Sequence, residues 1–143
     1  MESPINFYSE VDFEIQQKES YKKWLETVLE SEQKEAGDIN YVFCSDEHLL
    51  EINKTHLDHN TFTDIITFDY TVNKIISAEI YISIDRVKEN AQEYKVSFDN
   101  ELKRVMVHGI LHCCGYGDST KESKANMKEL ENKKIELFHV EQK

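Results

Sequence analysis

Phe98-Asp99-Asn100-Glu101-Leu102-Lys103-Arg104-Val105-Met106-Val107-His108-Gly109-Ile110-Leu111-His112-Cys113-Cys114-Gly115-Tyr116-Gly117-Asp118 reads as one helix and the turn that ends it. Leu102, Val105, Met106, Ile110 and Leu111 recur at helical spacing, so the segment is a core helix beginning near Phe98. Gly115 can take the left-handed conformation that stops a helix, and the chain then turns back through Gly117 to Asp118. His108 and His112, four residues apart, fall on one face about one turn apart, a spacing that suits two metal ligands. A bare pair of this kind is also an ordinary pair of helix residues. Here both imidazoles sit among Val105, Val107, Ile110 and Leu111, where burying them unpaired is costly and a metal ion satisfies both. Asp118 is the first residue past the turn able to act as a third ligand, leaving a position for water.

Working outward, Ser119-Thr120-Lys121-Glu122 matches a Ser-x-x-Glu capping box and predicts a last helix from Lys121 to about Phe138. Before the central helix, Asp85 is placed to cap a helix over residues 86–95. Ile65–Phe68 and Ile75–Ile84 have the β-branched density of an antiparallel pair joined by a turn near Asn73 and Lys74. Asp38–Cys44 reads as a further strand, followed by a helix carrying His48, Leu49, Leu50 and Ile52 with Ser45 or Asp46 as its cap. Tyr21, Trp24, Leu25, Val28 and Leu29 form an amphipathic stripe from about Lys18 to Lys34, stopped near Gly37. Ile5–Tyr8 and Val11–Ile15 predict one strand or two short ones. The expected fold is α+β: a small, mostly antiparallel or mixed sheet of about four strands packed by about five helices, with the His108 helix central.

The 143 residues, with 39% hydrophobic side chains, one Pro and four Gly, fit a single domain over 1–143. A chain of this size buries about 68–70% of its unfolded surface, enough for one core. The first ten residues lack a basic start and an apolar stretch, and no apolar run approaches the ~20 residues that cross a bilayer. Adjacent Cys113 and Cys114 would make a strained bridge, and Cys44 is the one cysteine left over. The expected compartment is therefore the reducing cytoplasm. The net charge of -11 argues against broad electrostatic adhesion to nucleic acid and leaves room only for a local basic strip or a metal's own charge.

His108, Gly109, Leu111, His112, Gly115 and Tyr116 meet the motif His-Gly-x-Leu-His-x-x-Gly-Tyr-Asp-His, and in this the chain resembles the YbeY family of bacterial rRNA maturation factors. A second family segment, approximately Pro-Thr-Asp-Val-Leu-Ser-Phe, is similar to Phe62-Thr63-Asp64-Ile65-Ile66-Thr67-Phe68. A following Gly-Asp/Glu-Ile strand is similar to Ala78-Glu79-Ile80. The resemblance covers nearly the whole chain. It implies a single-strand-specific metallo-endoribonuclease, with zinc the usual metal, acting in 16S rRNA 3′-end maturation and ribosome quality control. The implied partners are rRNA or other single-stranded RNA and a ribosomal protein, with neither membrane nor DNA among them.

The chain departs from the family at two places. The family's third His falls on Asp118, with Gly117 in place of the preceding Asp; in the alternative register Gly117 is inserted and Asp118 is that displaced Asp. A carboxylate in place of an imidazole makes the metal a weaker Lewis acid. The family's Tyr-Arg pair is His56-Leu57 here, so the substrate-binding role implied for that Arg is either filled by another cation, such as Lys54 or Arg86, or lost. No general base is assigned; Glu79, in a strand rich in Ile, either faces solvent or lines the cleft. His56-Leu57-Asp58-His59 reads as a second metal cluster or a solvated loop. Lys121, Lys124, Lys128, Lys133 and Lys134 form either a phosphate-contacting strip or, given the interspersed Glu, a solvated face.

Two rival classes share the motif. A metallopeptidase places a Glu as general base directly after the first His, where this chain has Gly109. A non-catalytic assembly factor would hold a structural metal in a closed four-ligand site, drawing on Cys113 or Cys114.

Overall fold

The computed structural model describes residues 4–57 and 63–141, apart from the side chains of 56–57 and 139–141. Its elements run β1 (Ile5–Ser9), α1 (Lys18–Ser31), β2 (Glu35–Cys44), α2 (Asp46–Leu57), β3 (Ile65–Asp69), β4 (Ile75–Ser83), α3 (Ile84–Glu93), α4 (Phe98–Cys113) and α5 (Lys121–Glu141). The four strands form one mixed sheet in the order β1-β2-β4-β3. Two of its three pairings, β1 with β2 and β2 with β4, are parallel, and only β3 with β4 is antiparallel. The expected β3–β4 hairpin is present and the sheet is mixed: α1 returns the chain to start β2 parallel to β1, while α2 and the antiparallel strand β3 together bring β4 parallel to β2.

Alternation along the strands divides the sheet into two faces. Ile39, Tyr41, Phe43, Ile76, Ala78, Ile80 and Ile82 point into the main core with Trp24, Leu25, Val28, Leu102, Met106, Ile110 and Phe138 from α1, α4 and α5. Cys44, Ile66, Phe68 and Tyr81 point the other way, against Leu49 and Ile52 of α2. Trp24 is fully buried and donates its indole N–H to the Lys134 carbonyl at 2.7 Å, tying α1 to α5. The Tyr41 hydroxyl donates to the Met106 carbonyl at 2.8 Å, tying the sheet to α4.

The boundaries differ from the expected ones where a local hydrogen bond overrides the obvious signal. Val11–Ile15 forms no strand. Helix α1 stops at Ser31 rather than near Gly37, because Gln33 itself adopts φ 60° while Lys34 N–H bonds Leu29 O and Gln33 N–H bonds Glu30 O. Gly37 instead lies within β2, beside a register shift between Ala36 and Ile39. Ser83, not Asp85, caps α3 by accepting the Arg86 N–H at 3.1 Å. Thr120 and Ser123, rather than Ser119 and Glu122, form the reciprocal cap of α5, each hydroxyl accepting from the other residue's N–H at 2.9–3.0 Å. Ser45 caps α2 by accepting the His48 N–H.

Candidate metal centre

Helix α4 begins at a Ser97 cap and buries Leu102, Val105, Met106, Ile110 and Leu111. That burial fixes its rotation and turns His108 and His112 toward a cleft at the β3 edge. Gly109 faces the sheet. A Cβ there would lie 3.1 Å from Ile65 Cδ1, 3.2 Å from Ile80 Cδ1 and 3.3 Å from Thr67 Oγ1. The close approach of α4 to β3 and β4 makes a side chain here tight, so a Glu would need these side-chain ends to shift, and Gly109 itself offers no base for a peptidase motif.

Gly115 ends α4 with φ 105°, while its N–H bonds His112 O and the Tyr116 N–H bonds Leu111 O. Tyr116 then donates its hydroxyl to Glu32 at 2.7 Å, and Glu32 pairs with Lys134 at 2.8 Å. Burial works against the Glu32 charge, but the hydrogen bonds from Lys134 and Tyr116 outweigh it and hold the carboxyl below its usual range. These contacts pin the turn to α1 and α5, so the loop bearing Asp118 is positioned by tertiary structure.

The result is convergence of three side chains. Asp118 Oδ2 lies 3.3 Å from His108 Nε2, and Asp118 Oδ1 lies 3.4 Å from His112 Nε2. Tetrahedral ligands bonded at 2.0–2.1 Å are separated by about 3.3 Å, so both spacings match donors around one zinc-sized ion. His112 and Asp118 remain 43% and 38% exposed at their side chains, which leaves the cleft side open. The cleft, about 370 Å³, is further lined by Thr63, Asp64, Thr67 and Asp69.

Behind His108 sits a carboxylate absent from the expected site. Glu131 of α5, 6% exposed, lies 2.7 Å from His108 Nδ1 and accepts from Arg104 at 3.2 Å. A proton held on Nδ1 by this contact leaves Nε2 free to face Asp118, the arrangement by which carboxylates orient metal-ligating imidazoles. Burial disfavours the His108 imidazolium, but Glu131, then Asp118 and Asp64, outweigh it and raise its pKa. Asp64, just before β3, is pushed above the usual carboxylate range by burial, with His108 opposing. Glu101, two turns before His108 and 3% exposed, is raised to about 7, first by burial.

A family model described as endoribonuclease YbeY matches residues 6–139. A protein named endoribonuclease YbeY from Flavobacterium psychrophilum is 51% identical over 138 residues, covering 96% of this chain and 99% of its own. The chain belongs to the YbeY endoribonuclease family. A second relative of that name, from Christiangramia forsetii, is 50% identical and is covered over 96% of both chains. The solution structure of TM1509 from Thermotoga maritima matches with a TM-score of 0.68 at 27% identity, covering 96% of this chain and 90% of that one. The α+β fold is thus shared with a solved structure.

Other expected site residues lie elsewhere. Glu79 is exposed and opposes Asn40 and Phe68 in the sheet, on the α2 face and away from Gly109, so it does not line the cleft. Arg86 is engaged by Asp46 at 2.7 Å and Glu89 at 3.3 Å. Lys54 is exposed on α2, the helix on the opposite face of the sheet from α4. Residues 58–59 of the His56–His59 cluster lie outside the described residues. In the lysine strip, Lys134 is consumed by Glu32 and Ser31, while Lys124 and Lys128 stay exposed. Cys113 is buried with its thiol pushed up to about 12, first by burial and then by Asp69, and Cys114 to about 11, first by burial and then by Glu32. Among the described residues the potential ligand group here is His108, His112 and Asp118, without a cysteine. A separate group, Glu10, Cys44 and His48, lies by α2. Among the described residues, no helix is long and apolar enough to cross a membrane.

Two members of this neighbourhood are not among the residues expected from sequence. Glu131 carried a usable signal: it falls between Met127 and Ile135 on the apolar face of α5, and a carboxylate on a core face needs a buried partner. Asp64 stands within the family-like segment, but its side chain joins the cleft only because β3 is the sheet edge beside α4.

Proposed function

We propose that this protein is a single-strand-specific metallo-endoribonuclease that acts in 16S rRNA 3′-end maturation and ribosome quality control, with one zinc ion held by His108, His112 and Asp118. A bound divalent cation supplies Lewis acidity toward a phosphoryl oxygen and lowers the pKa of water. His108 enters this role with its ring set by Glu131, and Asp118 with its loop set by Tyr116 and Glu32. Asp64, raised by burial and lining the same cleft, is suited to exchange a proton with substrate or water. The work site is the cytoplasm, the substrate is RNA rather than DNA, and the acidic surface suits docking on a basic ribosomal protein.

The observation that carries the proposal is the meeting of two imidazole nitrogens and a loop carboxylate at 3.3–3.4 Å in an open cleft. Bound metal and cleavage of a single-stranded oligoribonucleotide, measured together for the parent chain and His112→Ala, test it. The parent is expected to hold one metal and cut the strand, and the variant to lose both. A variant that keeps metal and activity, or a loaded parent that leaves RNA intact, overturns the reading.

A further inference from the structure

The cleft does not end at the three ligand side chains. Across His108 and Asp118 a second hollow of about 560 Å³ opens between the end of α3 and α5, lined by Tyr94, Val96, Met127, Lys124 and Lys128. Tyr94 also borders a narrower cavity it shares with Asp64, His108 and Asp118, so the hollow and the ligand group form one continuous groove. Tyr94 is 60% exposed and Val96 39%, while Met127 is 2% exposed and floors the hollow. Lys95 at φ 57°, with its N–H on Gln92 O and the Val96 N–H on Ala91 O, ends α3 so that Tyr94 and Val96 stand on either side of the turn.

Charge is sorted by depth here. Of the carboxylates sharing the hollow with the lysines, Glu101 and Glu131 are 3% and 6% exposed, Glu131 is occupied by His108 and Arg104, and Asp118, 38% exposed at its side chain, faces His108 and His112. Arg104 is in turn held by Asn132 at 2.6 Å. Lys124 and Lys128, one helical turn apart on α5, are exposed at the rim. An apolar, aromatic-edged hollow with cations at its lip suits a flat ring carrying a phosphate on one side.

We propose that Tyr94, Val96 and Met127 form a base-stacking subsite for single-stranded RNA, with Lys124 and Lys128 holding the adjoining phosphates. The inference rests on the reading that this protein cuts RNA, and it specifies how the substrate lies: along the α3–α5 side of the metal ligands. It also gives strand preference a physical cause. A base must leave its neighbours to stack on Tyr94, which an unpaired strand permits and a duplex resists.

Steady-state cleavage of a labelled single-stranded oligoribonucleotide by the metal-loaded chain tests this. Tyr94→Ala is expected to raise KM about 5- to 150-fold, the range set by removing one base–aromatic stack, with kcat little changed. Tyr94→Trp restores KM, since stacking needs the ring and not the hydroxyl. Lys124→Ala and Lys128→Ala each flatten the dependence of log(1/KM) on log salt, by about 0.7 for each phosphate of a single strand that is no longer neutralised. Thermal melting of each variant serves as the folding control, and Tyr94 is exposed enough for replacement to leave the core intact. A Tyr94→Ala chain with the parent's KM, or a Tyr94→Trp chain as impaired as Tyr94→Ala, overturns the subsite while leaving the nuclease reading standing. A parent that cuts no RNA overturns both.

Discussion

Replacing Glu131 by Gln separates what this buried carboxylate does for the fold from what it does for the metal ligands. The side chain is 8% exposed and serves two donors, His108 Nδ1 at 2.7 Å and Arg104 at 3.2 Å. Gln keeps the volume and one acceptor oxygen but removes the charge. A hydrogen bond to a charged group contributes about 1.5–3 kcal/mol, and Arg104 retains Asn132 at 2.6 Å, so the cost to the metal-free fold should sit at the low end, roughly 1.5 kcal/mol. Loss of the group that orients His108 should weaken zinc binding about 10- to 100-fold, the usual effect of removing an outer carboxylate. Denaturant unfolding in EDTA reads the first quantity, and competition with a chromophoric chelator reads the second. A Glu131→Gln chain that loses stability yet binds zinc as tightly as the parent would refute the orienting role and leave Glu131 a packing residue.

Glu101 makes a pH prediction for the metal-free protein. Its carboxyl is raised from 4.5 to about 7, by burial first, with Arg104 opposing and Asp64 and Glu131 adding to the rise. Below pH 4.5 it is protonated in both states; between 4.5 and 7 only the unfolded chain ionises, so stability falls with rising pH by up to about 3 kcal/mol. Glu101→Gln should remove that slope and be the more stable chain at pH 8; unfolding curves that stay parallel to the parent's across this range would exclude the assignment. Gly115 and Gly117 should respond oppositely to alanine. Gly115→Ala forces a Cβ onto φ 105° and should cost about 1–2 kcal/mol, whereas Gly117, outside the positive-φ set and with nothing within 4 Å of its Cβ position, should accept alanine almost neutrally. Denaturant midpoints of the two variants decide this, and equal losses would mean the turn is set by something other than Gly115.

The Gly117 geometry bears on how the chain aligns with its family. Its backbone is one an ordinary L residue adopts, so the turn does not require glycine where the family has Asp. In this fold Asp118 meets both imidazoles without further adjustment, which favours aligning it with the family's third His.

Much of this was legible from residue order because it depends on local periodicity. The 98–113 helix, its stop at Gly115, the pair of imidazoles on one face and the β3–β4 hairpin all follow from spacings within a few residues. Parallel pairing of β1, β2 and β4 was not legible, since it arises where helices pack on the sheet and not in the strands themselves. The caps at Ser83 and at Thr120–Ser123 competed with neighbours of equal propensity one or two residues away.

Sequence alone determined that His108 and His112 share one helix face and that a turn ending at Gly115 follows with a carboxylate beyond it, because both features lie within a few residues of chain. Only the tertiary structure decided what surrounds them. Glu131 lies 23 residues from His108 and Glu32 lies 84 from Tyr116, and each pair meets through packing of α5 and α1 that no short-range pattern encodes. The same packing sends Glu79 to the α2 face and Tyr94 to the rim of the groove, because the side of a strand or helix end that faces a cleft is set by what it packs against.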